Sequence, residues 1–332
     1  MKSTKSVSVK HIRTIALMVL VAVLFTVSFL LFKQWEDKQG TFPKRDDVAE
    51  DRITYNGAEY KLKDNVETVL VIGLDTFGDS GDDSAYNNDK LADFLMLLVL
   101  DNQSSTVNAI QINRDTMADI NVLGVAGEKV GTVNRQIALS HTYGNGKEVS
   151  CRNTADAVSG LFMNVKIDHY FSLTMDAVQE YNDLLGGVSV EVLDDFSGID
   201  DTLKQGETVT LTGAQALTYV RTRYGLDDSS NVRRMERQRQ YLQSLYNATK
   251  TKTSAEQGFA ATASSALSKY MVSNCTVNQM QNIISKVTSY ATADIRKVEG
   301  ESVKGEQYME FYPNEDAVKS LVIDLFYTKL DT

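Results

Sequence analysis

Apolar and polar positions along the chain follow strand and helix patterns in turn. Apolar runs of strand length occupy 67–74, 94–101 and 107–113, with the sequences "ETVLVIGL", "FLMLLVLD" and "VNAIQIN". Two of them are almost continuously apolar, which is typical of strands buried on both faces of a sheet. Further strands are predicted at "DHYFSL" and "VSVEVLDD", around a helix "MDAVQEYNDLLGG" that paired glycines end. The pattern predicts an α/β fold with a central, mostly buried sheet flanked by helices.

Other helices are predicted from periodicity and from capping residues. "NRQIALSHTYG" and "RNTADAVSGLF" are interpreted as helices. Thr212 with Gln215, and Thr276 with Gln279, have the spacing of capping boxes, so a helix is expected to begin after each threonine. Asn314 is expected to cap a final helix.

An uncharged run, Thr14–Phe32, stands near the N-terminus. As a helix rising about 1.5 Å per residue, it nearly matches a hydrocarbon core of about 30 Å. Four cations precede it: Lys2, Lys5, Lys10 and Arg13. By the positive-inside rule these cations keep the N-terminus in the cytoplasm. The alternative, a cleaved signal peptide, requires a shorter apolar core and a small-residue cleavage site, and "KQWEDKQG" after Phe32 offers none.

The uncharged run therefore predicts a single-pass protein of the cell membrane. The predicted order is a cytoplasmic tail 1–13, a transmembrane signal anchor 14–32, a juxtamembrane linker 33–60 and an extracytoplasmic catalytic domain 61–330.

Charge and cysteine content exclude several classes of function. The chain has a formal net charge of −10 and a pI of about 4.9, which argues against a nucleic-acid partner. The three histidines form no H-E-x-x-H, so a zinc hydrolase has little support. Cys151 and Cys275 are too far apart in sequence for a C-x-x-C motif. Outside the membrane an even number of cysteines favours one disulfide, Cys151–Cys275, with two buried thiols as the alternative.

Charged residues fall at the ends of the predicted strands. Asp75 follows the first strand, Arg114 and Asp115 follow the third, and Asp93 precedes the second. If the first and third strands are parallel and the second is antiparallel, all four residues share one edge of the sheet, where α/β proteins bind ligands. For each aspartate alone, a turn-forming role is the alternative.

Residues 219–242, "YVRTRYGLDDSSNVRRMERQRQYL", contain six arginines and three acids. A helix is predicted from Ser230 or Asn231 onward. Guanidinium groups at a helix N-terminus form an anion site, and their planar forks suit phosphate. The alternative is a solvated charged face that Asp227, Asp228 and Glu236 partly neutralise.

Five stretches together resemble the LytR-CpsA-Psr family: "VETVLVIGLD", "INRDTMADI", "VGTVNRQIALSHTYGNG", "FSLTMDAVQEYNDLLGGVSVEV" and "LTGAQALTYVRTRYGLDDSSNVRRMERQRQYL". The last, similar to the family's V-R-x-R…R-x-x-R-Q signature, is the most specific. The resemblance covers residues 65 to 250 clearly. It implies an enzyme that transfers teichoic acids, capsules or related glycopolymers from a polyprenyl-diphosphate carrier to peptidoglycan, with the lipid tail in an apolar pocket.

The resemblance also implies roles for individual residues. Asp75 and Asp93 correspond to the family's metal carboxylates, with Mg²⁺ expected and Mn²⁺ as the alternative. Asp115 would orient Arg114 or act as a base. The groups expected around the diphosphate are Arg114, Arg221, Arg223, Arg234, Arg237 and Gln238.

Two positions depart from the family pattern. Asn231 stands where members often have an acid, and Thr132 stands where many have lysine, with Lys129 or Arg135 as its possible substitutes. The same site could also serve a hydrolase that uses water, or a non-catalytic regulator or binder of anionic polymers.

Overall fold

The computed structural model describes residues 49–74 and 91–330. The strands, in chain order, are β1 (Arg52–Tyr55), β2 (Ala58–Leu62), β3 (Val66–Leu74), β4 (Ala92–Asp101), β5 (Thr106–Ile112), β6 (Met117–Leu123), β7 (Lys129–Gln136), β8 (His169–Thr174), β9 (Val188–Glu191), β10 (Thr208–Leu211), β11 (Met271–Ser273), β12 (Ala291–Thr292), β13 (Arg296–Lys297), β14 (Gly300–Lys304), β15 (Met309–Pro313) and β16 (Tyr327–Lys329). The α-helices are α1 (Glu148–Leu161), α2 (Met175–Leu185), α3 (Gly213–Arg221), α4 (Asn231–Ala255), α5 (Phe259–Leu267), α6 (Val277–Ser289) and α7 (Glu315–Phe326). Short 3-10 helices span Ile137–Thr142 and Ser268–Tyr270.

The central sheet has seven strands in the order β11-β8-β3-β4-β5-β12, with β13 also paired to β5. Strands β3 and β5 both run antiparallel to β4 and are therefore parallel to each other. Strand β8 runs parallel to β3. The C-terminal ends of β3, β5 and β8 consequently share one edge of the sheet with the start of β4. This edge is called the rim below. The strand directions agree with those predicted from the charged residues at the strand ends.

Each face of the sheet packs against different helices, as the period-two alternation of β3 requires. Leu70, Ile72 and Leu74 belong to a cluster completed by α1 and α7. Val69 points to the other face, where it packs with Ile283 of α6. The result confirms the predicted architecture of a central sheet flanked by helices.

Local signals fixed several helix boundaries. Both predicted capping boxes, at Thr212 and Thr276, have their reciprocal hydrogen bonds. The Asn314 side chain accepts a hydrogen bond from the Ala317 N–H and caps α7. Helix α2 ends at Gly186, which takes the left-handed conformation (φ 85°) that glycine adopts without steric cost.

Two predicted elements differ from the structure. The helix predicted at "NRQIALSHTYG" is wrong, because residues 134–136 complete β7, and only Ile137–Thr142 form a short 3-10 helix. These residues pair with β6 in a hairpin, and Met117 stands opposite Gln136. The strand predicted at "VSVEVLDD" exists as β9, but it pairs with β10 in a separate two-stranded sheet.

The first and last described strands lie in one small sheet of order β1-β2-β16. Thr328 of β16 stands opposite Lys61 of β2. Strand β1 falls within the predicted linker 33–60 and nevertheless pairs with β2 along its whole length.

The predicted single-pass localisation is corrected by the structure. Among residues 49–74 and 91–330, no helix combines the length and the apolar composition that a membrane crossing needs. The run 14–32, on which the prediction rested, lies outside the described residues, as does the tail 1–13.

The predicted disulfide is not formed, since both cysteines are free thiols. Cys151 of α1 is buried in the cluster on one face of the central sheet. Cys275 packs against the cluster on the other face. Burial raises the pKa of the Cys151 thiol to about 12, so this thiol is protonated at neutral pH.

Candidate functional site

Arg114 joins the two described aspartates of the rim. It follows β5, and its Nη1 forms an ion pair with Oδ1 of Asp93 at the start of β4. Its Nε lies 3.6 Å from Oδ1 of Asp115. The antiparallel β4–β5 pairing explains why residues about twenty positions apart meet here. Asp75, the other predicted metal carboxylate, lies outside the described residues.

Asp115 is a buried carboxylate surrounded by cations. Its Oδ1 accepts a hydrogen bond of 3.1 Å from Nε2 of Gln136. Burial raises its pKa above the ordinary aspartate value, although the positive charges of Arg114, Arg223 and Arg234 act in the opposite direction. Because its pKa is raised, Asp115 is a stronger base than an ordinary aspartate.

Arg234, near the start of α4, also acts electrostatically on Asp115. Ser230 caps this helix, since its Oγ accepts a hydrogen bond from the Arg233 N–H. Arg234 Nη2 donates a 2.7 Å hydrogen bond to Oδ1 of Asn231, while its buried Nε has no hydrogen-bond partner in the described part of the chain. Burial, followed by repulsion from Arg114 and Arg223, lowers the pKa of Arg234 to about 10.

Three guanidinium groups, those of Arg114, Arg223 and Arg234, therefore converge near Asp115. Of the described carboxylates, Asp93 and Asp115 are the ones placed among them. Burial and repulsion from Arg114 and Arg223 together disfavour the charged form of Arg234 when the site is empty of an anion. The site is thus suited to an anion with several oxygen atoms.

Arg237 has a different environment from the one predicted. Its side chain is 0% exposed, and its guanidinium forms an ion pair with Asp194. It also donates to the backbone oxygens of Tyr219 and Thr222. With its donors committed inside the protein, Arg237 holds the segment after α3 in place.

Gln238 is likewise buried. Its Nε2 donates to the Val220 oxygen at 3.2 Å, and its Oε1 accepts from Gln111. Like Arg237, it fixes the end of α3 on α4.

The remaining predicted cations, Arg221, Lys129 and Arg135, are exposed. Arg221, in the last turn of α3, is exposed. Lys129 and Arg135 are both exposed on β7, six residues apart, which is about 20 Å along a strand. Gln136 faces Asp115, so the adjacent Arg135 points to the opposite side of β7.

An apolar cavity lies beneath the rim, between the central sheet and helices α4, α5 and α6. Its main part measures about 400 Å³, and Val69, Leu98 and Phe171 are among the sheet residues that line it. An adjoining part of about 160 Å³ reaches Gly73 near the end of β3 and Val220, the residue before Arg221. The two parts share lining residues, so apolar space extends from the arginine side into the interior.

The family model for LytR_cpsA_psr matches residues 33–323. The chain belongs to the LytR-CpsA-Psr family. Curated relatives include the polyisoprenyl-teichoic acid–peptidoglycan teichoic acid transferase TagU of Halalkalibacterium halodurans, 30% identical over 178 residues, or 54% of this chain and 51% of that protein. The TagU of Bacillus subtilis (strain 168) is 30% identical over 181 residues, with the same coverage of 54% and 51%. The chain thus spans about half the length of these curated relatives.

Solved structures of this family share the fold. The crystal structure of B. subtilis TagV has a TM-score of 0.60 at 20% identity and covers 80% of this chain and 97% of TagV. TagT bound to LIIa-WTA has a TM-score of 0.59 at 19% identity and covers 86% and 97% of the two chains.

The two residues that depart from the family pattern, Asn231 and Thr132, lie at the start of α4 and in β7. Asn231 replaces the frequent acid by an amide that accepts from Arg234 and donates to Oδ1 of Asn113 at 2.7 Å. Thr132 lies in β7 opposite Asn121, four residues before Gln136.

Gln136 and Asn113 are site residues that sequence reasoning missed. Asn113 Oδ1 accepts from the Asp115 N–H at 3.0 Å and so shapes the turn that carries Arg114 and Asp115. If residues 129–136 are interpreted as a strand, the role of Gln136 can be predicted. Pairing with β6 places Gln136 opposite Met117, at the start of β6 and next to Asp115.

A metal site at the rim is compatible with the donors present. Mg²⁺ is usually held by one or two carboxylates while water and phosphate oxygens complete its octahedron. Asp93 offers a hard oxygen ligand beside the arginine cluster. Within the described ranges, no group of three or more His, Cys, Asp or Glu residues could hold a metal by itself. Asp93 is therefore a described carboxylate that could serve as one ligand of a metal, with water and phosphate oxygens as the others.

Proposed function

We propose that this protein transfers a glycopolymer from a polyprenyl-diphosphate carrier to peptidoglycan by phosphoryl transfer. The observation that carries the proposal is buried Asp115 with Arg114 at 3.6 Å and with the charges of Arg223 and Arg234 acting on it, next to an apolar cavity. A cationic rim above an apolar cavity matches a ligand with a diphosphate head and a hydrocarbon tail. The names of the TagU relatives, as polyisoprenyl-teichoic acid–peptidoglycan transferases, support the same class of substrate.

The arginines bind the diphosphate in this proposal. A guanidinium donates two parallel hydrogen bonds to phosphoryl oxygens and keeps its charge in the site. Even Arg234, whose pKa is lowered to about 10, is protonated at neutral pH. Charge that develops on the departing phosphate is stabilised by groups already oriented toward it, which is the most effective form of electrostatic catalysis.

Asp115 acts as the general base. A hydroxyl oxygen of the acceptor sugar attacks the phosphorus on the glycan side of the diphosphate. A new P–O bond forms, the P–O bond to the carrier phosphate breaks, and polyprenyl phosphate leaves with the electron pair. The hydroxyl proton passes to the Asp115 carboxylate, whose basicity burial increases.

Asp93, with Asp75, would hold Mg²⁺ or Mn²⁺ beside the phosphoryl groups. When bound, such an ion neutralises part of the phosphoryl charge.

The cavity binds the proximal part of the lipid tail. It provides about 400 Å³ in its main part and about 160 Å³ next to the rim, and aliphatic, methionine and aromatic side chains contribute most of its lining. Transfer of apolar tail surface from water into this space favours binding by about 25 cal/mol per Å².

The decisive experiment measures release of polyprenyl phosphate from a synthetic polyprenyl-diphosphate-linked sugar, with and without a glycan acceptor. We expect wild-type protein to release it in Mg²⁺ or Mn²⁺ and to label the glycan. Asp115→Asn should be slower by about 10²–10⁴-fold. The acid limb of kcat/KM should lie above the pH typical of an ordinary carboxylate, and it should disappear in Asp115→Asn.

Other outcomes identify the alternatives. Release into water with no labelled glycan would indicate a hydrolase. Metal-independent binding without any release, unchanged in Asp115→Asn, would indicate a binder of anionic polymers.

A further inference from the structure

The β14–β15 hairpin contacts the loop and strand that present Asp115. The Phe311 N–H donates to the Asp115 backbone oxygen at 2.9 Å. Gln136 Nε2 donates both to Asp115 Oδ1 at 3.1 Å and to the Met309 oxygen at 2.7 Å. One side chain thus joins the proposed base to the hairpin, so a ligand lying on the hairpin would be next to the base.

The hairpin exposes an unusual amount of apolar and aromatic surface. Tyr308 is 70% exposed, and Tyr312, Met309 and Val303 are each exposed to between 45% and 47%. Phe311 between them is buried in the main core and anchors the hairpin. The alternation of β15 and its register with β14 place Val303 and Tyr312 on the face opposite Phe311, and exposed apolar groups on one face often mark a binding surface.

The charge of this surface is opposite to that of the arginine cluster. Residues 300–313 contain three glutamates, Glu301, Glu306 and Glu310, and one lysine, Lys304. Tyr312 Oη donates a 2.6 Å hydrogen bond to Oε2 of Glu310, which fixes the ring beside a carboxylate. A phosphate-rich chain is repelled by such a surface. A sugar chain is not, because its C–H faces pack on aromatic rings and its hydroxyl groups donate to carboxylates.

We propose that the β14–β15 hairpin is the binding surface for the acceptor glycan, with Tyr308 and Tyr312 contacting its sugar rings. The proposal rests on the transferase function above and adds the side from which the acceptor hydroxyl approaches. The carrier occupies the arginine cluster and the cavity, the acceptor occupies the hairpin, and Asp115 lies between them. Gln136 positions Asp115 relative to the hairpin.

The test compares transfer to peptide-free glycan strands with hydrolysis of the same lipid-linked diphosphate. We expect Tyr308→Ala and Tyr312→Ala to lower the ratio of transfer to hydrolysis at least about fivefold each, through KM for the glycan, as loss of an interfacial tyrosine does. Tyr312→Phe should keep most of the transfer, because the ring is retained. Val277→Ala, at an exposed apolar residue of α6, is the control and should change neither reaction.

Binding of a chitin hexasaccharide, followed by NMR, separates failure of this proposal from failure of the proposed function. Wild-type protein that binds the sugar but releases no polyprenyl phosphate would refute the transferase and retain the glycan surface. An unchanged KM together with unchanged sugar binding in both tyrosine variants would refute the surface. A switch from dimer to monomer in Tyr308→Ala, with transfer intact, would identify the hairpin as a contact between two copies and also refute it.

Discussion

Two groups of arginines from one stretch of sequence have opposite electrostatic environments. Arg233 and Arg237 both contact Asp194, and Arg233 also contacts Glu236 at 2.7 Å. These contacts raise the pKa of Arg233, whereas burial among other cations lowers that of its neighbour Arg234 to about 10. The first group is neutralised inside the protein and stabilises the fold. The second, Arg223 and Arg234, acts together with Arg114 from the end of β5 and retains charge for a ligand.

The difference arises from helix geometry. Successive residues of an α-helix point about 100° apart, so Arg233 and Arg234 face different surroundings although they are adjacent. Arg233 turns toward the loop after β9, and Arg234 turns toward the rim. A cluster of like charges in a sequence can therefore contain structural and ligand-binding members side by side.

Among the variants that test this comparison, Arg237→Met should have the largest effect. The replacement leaves Asp194 with one cationic partner and leaves the carbonyls of Tyr219 and Thr222 without their donor. We expect the free energy of unfolding to fall by about 3–5 kcal/mol, as when one partner of a buried ion pair is removed. Urea denaturation measures this. A variant as stable as wild type would remove Arg237 from the structural group.

Arg223→Lys should affect activity rather than stability. Lysine keeps the charge but loses the bidentate contact with phosphate. Loss of about 2–4 kcal/mol of transition-state stabilisation lowers kcat/KM roughly 30- to 1000-fold. Arg221→Lys is the matched variant. Because Arg221 is exposed, its effect should be smaller. An equal or larger loss in Arg221→Lys would place Arg221 in the ligand-binding group.

Arg234→Gln should produce the smallest effect, and one of opposite sign on stability. The folded-state pKa of Arg234 is lowered, so at neutral pH the charged form costs free energy in the folded protein. The replacement removes this cost but also removes the hydrogen bond from Arg234 to Asn231. We therefore expect the free energy of unfolding to rise by about 1–2 kcal/mol. Thermal unfolding at neutral pH tests the sign. Addition of inorganic diphosphate should stabilise wild type more than the variant, and a destabilised variant would contradict an unbalanced charge at this position.

Local rules predicted a large part of the fold. Apolar runs located β3, β4 and β5, and side-chain caps located the starts of α3, α6 and α7. Pairing of β9 with β10 rather than with the central sheet depends on contacts between distant segments, which periodicity does not encode. The helix predicted over 134–144 failed for the same reason, because its first residues obtain their hydrogen bonds from β6.

The sequence was sufficient to predict those site residues whose positions depend only on the direction of the strands. Asp93, Arg114 and Asp115 meet because strand ends meet. The placement of Arg237 depends on Asp194, which lies 43 residues earlier in a loop that no motif identifies. The disulfide was predicted from the number of cysteines and from the compartment outside the membrane. The central sheet, which separates the two clusters containing Cys151 and Cys275, could not be taken into account.

The small sheet β1-β2-β16 also determines when the domain can complete its folding. Strand β2 begins at Ala58 and needs Tyr327–Lys329 as its second neighbour, and Lys63 bonds to the carbonyls of Leu325 and Phe326. During synthesis, which adds about 5–20 residues per second, the early strand therefore waits for more than 250 residues before its partner exists. Contacts of such long sequence separation slow folding. Translation that stops before β16 leaves β2 with an unpaired edge, a feature that favours aggregation and marks the incomplete chain for degradation.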